Sequence, residues 1–176
     1  MKIKLIYFFA LIVVFAGCDK IKDSATIPIS TELKANIPVV VLSQSKNSFN
    51  KAGAIVFNKT HELTLASNDD IEPYLSRIKE VGLNSLVVTI TGLSAGQTIN
   101  TVSLDVTGVG NIFTQTNITM SNNIFTPVIS ETTLDLVAAK LTADRKITLT
   151  VSGTASETMS FTVGLNFDAI VIAYLL

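Results

Sequence analysis

The chain has no tryptophan, one cysteine, one histidine and four prolines in 176 residues. A single thiol cannot close a disulfide within the chain, so a disulfide-stapled scaffold is excluded. The lone histidine, His61, is too little for a His-based metal centre. A Ser-His-Asp triad would have to be built on it, and no Gly-x-Ser-x-Gly elbow is present. Clefts that work on sugars with paired carboxylates are commonly floored by Trp and Tyr, and beyond the first stretch only Tyr74 and Tyr174 remain. Charge has no dominant sign either: 13 Lys and Arg stand against 14 Asp and Glu, a net charge of −1. That balance disfavours nucleic acid as a partner. These absences predict a protein that is not an enzyme and carries no cofactor or metal.

What the chain does have is apolar sequence, 48% of its residues. Part of this is the unbroken run Leu5 to Ala16, preceded by Lys2 and Lys4 and followed by Gly17 and Cys18. The run is short for a bilayer span and fits the apolar region of a signal peptide. An ordinary secretory peptide with a chance cysteine, or an uncleaved anchor, are the plainer explanations. The whole arrangement nevertheless resembles a bacterial lipoprotein signal peptide, with Phe15-Ala16-Gly17-Cys18 as the lipobox and Phe15 where Leu or Val is usual. The resemblance implies cleavage between Gly17 and Cys18, a diacylglycerol on the Cys18 thiol and an acylated new amine. Anchoring by three acyl chains, at about 0.8 kcal/mol per buried methylene, is effectively permanent. Removing residues 1–17 leaves 11 basic against 14 acidic residues, a net charge of −3.

Residues 18–26 then read as a tether, charged at Asp19, Lys20, Lys22 and Asp23. A charged stretch after the cysteine resembles the surface-export signals of Bacteroidota lipoproteins, whereas Asp19 alone resembles the inner-membrane retention signal of enteric bacteria. The expected address is the cell envelope, at the outer membrane on its periplasmic or surface face.

Residues 27–176 predict one β-rich domain. Between Ile27 and Val41 the odd positions are apolar or small and the even ones mostly polar, the period of a strand with one buried face. Pro28 and Pro38 share the even parity, so their missing N–H groups mark one side of that strand as an open edge. Gln44 to Gly53 reads as a loop, followed by short strands near Ile55–Phe57 and Leu63–Leu65. Asn68-Asp69-Asp70 predicts a helix start with Asp69 or Asp70 as cap, Pro73 in the first turn, and Ile71, Tyr74, Leu75 and Ile78 on one face. Gly82 fits its end. Leu86, Val88 and Ile90 restart period 2, and further strands follow around Val102–Val106, after Gly110 and at Ile147–Val151. Leu134, Val137, Ala138 and Leu141 predict a second short helix, and Gly153 to Glu157 a turn. The long closing strand alternates from Met159 to Ala173. Its other face changes from polar to Ile170 and Ile172, which predicts cover on both sides there. The fold expected is an antiparallel β-sandwich or strongly bent sheet with one or two short helices. This layout loosely resembles uncharacterised Bacteroidota envelope lipoproteins, a resemblance that implies no activity.

The remaining motifs have plain structural explanations. Asp69, Asp70 and Glu72 lack the alternation and central Gly of an EF-hand loop and fit a helix cap better than a calcium site. Gly108-Val109-Gly110 lacks a third Gly and precedes a strand, so it reads as a hairpin turn. Asn58-Lys59-Thr60 and Asn117-Ile118-Thr119 match the glycosylation pattern by chance. The function expected is a lipid-anchored envelope protein that binds or scaffolds. Its partners would be the membrane through its lipid, and another envelope protein or surface polymer. The alternative is a carrier or sensor of a small apolar ligand or lipid, with sheet and helix lining a cavity. An envelope hydrolase comes third, with nothing positive in its favour.

Overall fold

The structure is a computed structural model, and it describes residues 25–42 and 54–175. The expected signal segment, Gly17, Cys18 and the loop over 44–53 lie outside these residues. In chain order the elements are β1 (Thr26–Val41), β2 (Ile55–Thr64), two 3-10 turns (Leu65–Ser67 and Glu72–Arg77), β3 (Ile78–Thr91), β4 (Ile99–Val106), β5 (Gly110–Ile118), β6 (Ile124–Phe125), α1 (Glu131–Asp144), β7 (Lys146–Ala155) and β8 (Met159–Tyr174). The strands form two four-stranded antiparallel sheets, in the orders β1-β8-β3-β6 and β2-β7-β4-β5, packed as a β-sandwich. We call them the first and second sheet.

The inner faces carry the core that period 2 predicted. On β1, Leu33, Ala35, Ile37, Val39 and Val41 are buried, and on β8 every odd residue from Met159 to Ala173 is buried. Ile147, Leu149 and Val151 of β7 meet them from the second sheet. At the two sides of the sandwich the sheets are joined by edge-to-face ring pairs. Phe57 meets Phe161 at 5.4 Å and Phe113 meets Phe125 at 5.8 Å. Each such pair is worth about 0.5–1.5 kcal/mol beyond its buried area.

β1 lies at the edge of the first sheet and pairs only with β8, in continuous register from Thr26↔Tyr174 to Val41↔Met159. No bulge interrupts that register, so Pro28 and Pro38 keep the same parity and the same side. The Glu32 carbonyl, also even, accepts a hydrogen bond from Asn68 at 3.0 Å rather than from β8. The even backbone groups therefore point off the edge, where a missing proline N–H costs no ladder bond.

The helix expected from Asp69 to Gly82 does not form. A 3-10 turn occupies Glu72–Arg77, with Pro73 in its first turn, and β3 begins at Ile78. Gly82 is a strand residue, paired with Ile170. The misleading signal has a physical origin: Ile71, Tyr74, Leu75 and Ile78 flank or occupy the 3-10 turn, which, like an α-helix, brings residues three apart onto one side. β3 itself carries register shifts at Ile78/Glu80 and at Leu83/Ser85, and its buried residues are Ile78, Val81, Leu83, Leu86, Val88 and Ile90. Each bulge stretches a spacing of two into three.

The second helix does form, as α1, and its buried residues are Leu134, Val137, Ala138 and Leu141. The Ser130 hydroxyl caps its start by accepting from the Thr133 amide, and Arg145 ends it in the left-handed region at φ 59°. β6 pairs only with Val88 and Thr89, leaving the first half of β3 open on that side. α1 covers it: Thr142 Oγ1 accepts from the Val81 amide at 2.9 Å and donates to the Ala138 carbonyl at 2.9 Å. Arg145 donates to the Ile78 carbonyl at 2.8 Å and to the Thr142 carbonyl. Covering an exposed strand edge with a helix removes a template for unwanted pairing.

Three smaller expectations also change. The two short strands near Ile55 and Leu63 are one strand, β2. Gly153 is inside β7, paired with Phe57 and Val102, and the turn follows Ala155. A Cβ at Gly153 would stand 2.0 Å from the Thr101 carbonyl oxygen and 2.7 Å from the Phe57 ring, so this glycine allows a close approach. Ile170 and Ile172 are not covered on their outer side: Ile170 is exposed and Ile172 half-exposed. The expected hairpin turn at Gly108–Gly110 is present between β4 and β5, with φ 84° and 104° at the two glycines.

Candidate functional site

Two places on the surface gather chemically distinct side chains. The first is where the chain enters the domain. β1 starts at Thr26, one residue before the expected boundary, and the Leu175 amide donates to the Ala25 carbonyl at 2.8 Å. This bond closes the end of the β1–β8 ladder, so residues 25 and 175 lie side by side. Around them stand Tyr174, Leu175 and Ile170, which are 39%, 42% and 37% exposed. Ile170 stands proud because its neighbours across the sheet are Ser30 and Gly82, neither large enough to lean over it. Ile172 lies between Pro28 and Glu80. Lys79 Nζ sits over the Tyr174 ring at 5.9 Å, and the Arg77 guanidinium over the Tyr74 ring at 5.3 Å. Such pairs attract by about 0.5–1 kcal/mol at exposed positions.

The second place is a cleft of about 480 Å³ between β1 and the connection out of β2, lined by Thr31, Glu32, Lys34, Leu63, Thr64 and Ser67 to Asp70. Asn68, rather than Asp69 or Asp70, organises it. Its side-chain oxygen accepts from the amides of Asp70 (3.0 Å) and Ile71 (3.2 Å), an Asx turn, and its nitrogen donates to Thr31 Oγ1 (3.1 Å) and the Glu32 carbonyl. Thr31 in turn donates to the Asp70 carboxylate at 2.9 Å. The donors and acceptors of the cleft are thus turned on one another, as a brace between the sheets. Asp69 and Glu72 point to solvent, and no group of three metal-ligating side chains occurs among the described residues.

Charges on this side are exposed and paired. Lys34 holds the Glu32 carboxylate at 2.6 Å, and its hydrogen bond, with the Asn166 amide alongside, keeps the Glu32 carboxyl below its ordinary range. Glu62 meets Lys146 at 2.9 Å and, by the same bond, raises the Lys146 ammonium. Exposed pairs of this kind contribute at most about 1 kcal/mol. His61 is half-exposed in β2, opposite Leu149. Asn58 lies exposed on β2, and Asn117 takes the left-handed conformation at φ 55° near the end of β5.

Sequence reasoning placed Asp69, Asp70 and Glu72 together but missed Asn68 as the organising residue. The signal available was that Asn, like Asp, satisfies amides two and three residues on, while its amide can also donate. It also noted the parity break at Ile170 and Ile172 but assigned cover to it. No protein-family model, curated protein or solved structure matches this chain.

Proposed function

We propose that the protein is a lipid-anchored component of a bacterial cell envelope, held by Cys18, whose β-sandwich binds or scaffolds other envelope material rather than catalysing a reaction. The observation that carries this reading is the short lead between the candidate acceptor and a fixed point of the fold. Cys18 lies seven residues before Ala25, which is itself hydrogen-bonded to Leu175. Seven extended residues reach at most about 25 Å, so a lipid on Cys18 would keep the domain against its membrane. No helix among the described residues is long and apolar enough to cross a membrane.

Binding is favoured over carrying an apolar ligand by how the inward side chains are used. Sheet and helix meet in mutual contact: Leu134, Val137 and Leu141 of α1 belong to the same buried cluster as β3 and β7. The cleft beside α1 is a shallow, open one lined by Val81, Gly82, Ala138, Ala139 and Ala143 with Glu80, Asp135 and Thr142 among them, and it is not an enclosed apolar cavity. Surfaces and edges are therefore what the domain offers to partners.

The test is Cys18→Ala. Wild-type protein should float with membranes and release an N-terminal peptide whose mass includes diacylglycerol and a third acyl chain. The variant should keep its fold, because Cys18 precedes β1, yet leave the membrane fraction or persist as an uncleaved precursor. A variant that matures and stays in membranes like the wild type would overturn the anchor.

A further inference from the structure

We propose that the end of the sandwich formed by Ile170, Ile172, Tyr174 and Leu175, flanked by Tyr74, Arg77 and Lys79, rests on the headgroup layer of the membrane that holds the chain. This inference deepens the anchoring reading and depends on it. Three observations carry it. First, the chain enters the domain at this end, at Ala25, and seven extended residues keep that end within about 25 Å of the bilayer. Second, the outer face of β8 is polar or small at Ser160, Thr162, Gly164, Asn166 and Asp168, then apolar at Ile170, Ile172 and Tyr174. The switch along β8 occurs only toward the tethered end, where Ile170 and Tyr174 are exposed and Ile172 is half-buried. Third, the residue types match a membrane interface, where Tyr rings sit at headgroup depth and Lys or Arg stems lie along apolar surface with their charges in water.

Glu72 shares the 3-10 turn with Arg77, and Glu80, next to Lys79, pairs with Ile172, so acidic residues offset the basic ones at this end. The contact is therefore with the interfacial layer itself and does not require anionic lipid. A lipidated chain gains from even a weak surface affinity, because the tether already fixes the effective concentration of that surface.

The sequence supplies its own probe. With no Trp and with Tyr7 upstream of Cys18, Tyr74 and Tyr174 are the only tyrosines after the anchor, and both stand at this end. The full lipidated protein would be reconstituted in phosphatidylcholine vesicles with a small fraction of headgroup-nitroxide lipid. Tyrosine emission should fall by about half or more relative to unlabelled vesicles, as expected for rings at headgroup depth. The double variant Ile170→Ser, Leu175→Ser, altered only at exposed positions, should recover most of that emission while remaining vesicle-bound. A Tyr74→Phe, Tyr174→Phe chain should be dark, and residual quenched emission from it would mean that Tyr7 is retained and the processing assumed here is wrong. Protein that floats with the vesicles but shows unquenched tyrosines overturns the contact and leaves the anchor standing. Equal quenching in wild type and the serine variant also overturns it, as tether proximity alone. Shielding that weakens when protein is diluted in lipid would identify a second copy as the occupant instead. Protein that fails to float removes the anchor itself, and the contact with it.

Discussion

The two sheets have similar inner faces and different outer ones. On the second sheet the outer side is rich in paired hydroxyls, with Thr101 and Thr154 bonded across strands at 2.8 Å and Ser103 and Thr114 at 2.8 Å, and its exposed apolar residue Val56 stands alone on β2. Cross-strand Thr and Ser pairs of this sort satisfy one another and ask nothing of a partner. The outer side of the first sheet is uneven. It carries two prolines and the Glu32–Lys34 pair along its edge strand, and an exposed Ile170 beside a half-buried Ile172 toward Tyr174. A sandwich needs only its inner faces to be apolar, so the second sheet shows what folding alone requires. What the first sheet adds is surplus to folding, and that surplus points to an interaction.

The largest test of this contrast sets two strand glycines against each other. Gly153→Ala in the second sheet drives a Cβ into the Thr101 carbonyl oxygen at 2.0 Å, and overpacking against backbone should cost about 3 kcal/mol or more. Gly164→Ala in the first sheet meets the Thr89 carbonyl oxygen at 3.3 Å and Asn36 Oδ1 at 3.4 Å, and should cost about 1 kcal/mol or less. Urea denaturation of the two variants measures the difference, and equal losses would remove the asymmetry. Next in size is Asn68→Ala, which strips the brace from the connection between the sheets. A loss of about 1–2 kcal/mol is expected, with faster amide exchange along β1 and little change in β7. Uniform acceleration in both strands would mean that Asn68 serves the whole domain and not the edge.

The smallest effect lies in the Glu32–Lys34 pair. The folded Glu32 carboxyl is lowered from its ordinary value of 4.5, first by the hydrogen bond from Lys34. A lowered folded value means that the pair stabilises above the unfolded value and that this contribution disappears as pH falls through the folded one. An NMR titration should find Glu32 below its ordinary value of 4.5, and Lys34→Ala should move it most of the way back, leaving the smaller contribution of Asn166. Salt should shrink the difference, since both side chains are exposed.

Period 2 was enough to read β1, β8 and the antiparallel sandwich, because an unbroken strand writes its buried face directly into parity. The pair Pro28 and Pro38 further located an edge, since proline removes a donor whatever the tertiary context. The turn before β3 was misread as a helix, because Ile71, Tyr74, Leu75 and Ile78 keep a spacing that a 3-10 turn shares with an α-helix. Gly153 was misread for a related reason: a glycine required by a close backbone approach looks, in sequence, like one required by a turn. At the surface, Ile170 and Ile172 were noticed but given cover. Parity reports which face a residue takes, and not what lies against it.

The strand order of the first sheet has a consequence for how the chain is made. β8 is the last strand in sequence, yet it sits between β1 and β3, and pairs with both. Synthesis proceeds from the N-terminus, so β1 waits without a partner until Met159–Tyr174 emerges, more than a hundred residues later. Contacts so distant in sequence form slowly, because the intervening loop must be closed before they return any free energy. The nascent chain therefore cannot assemble its first sheet early, and it remains threadable until its final strand is released.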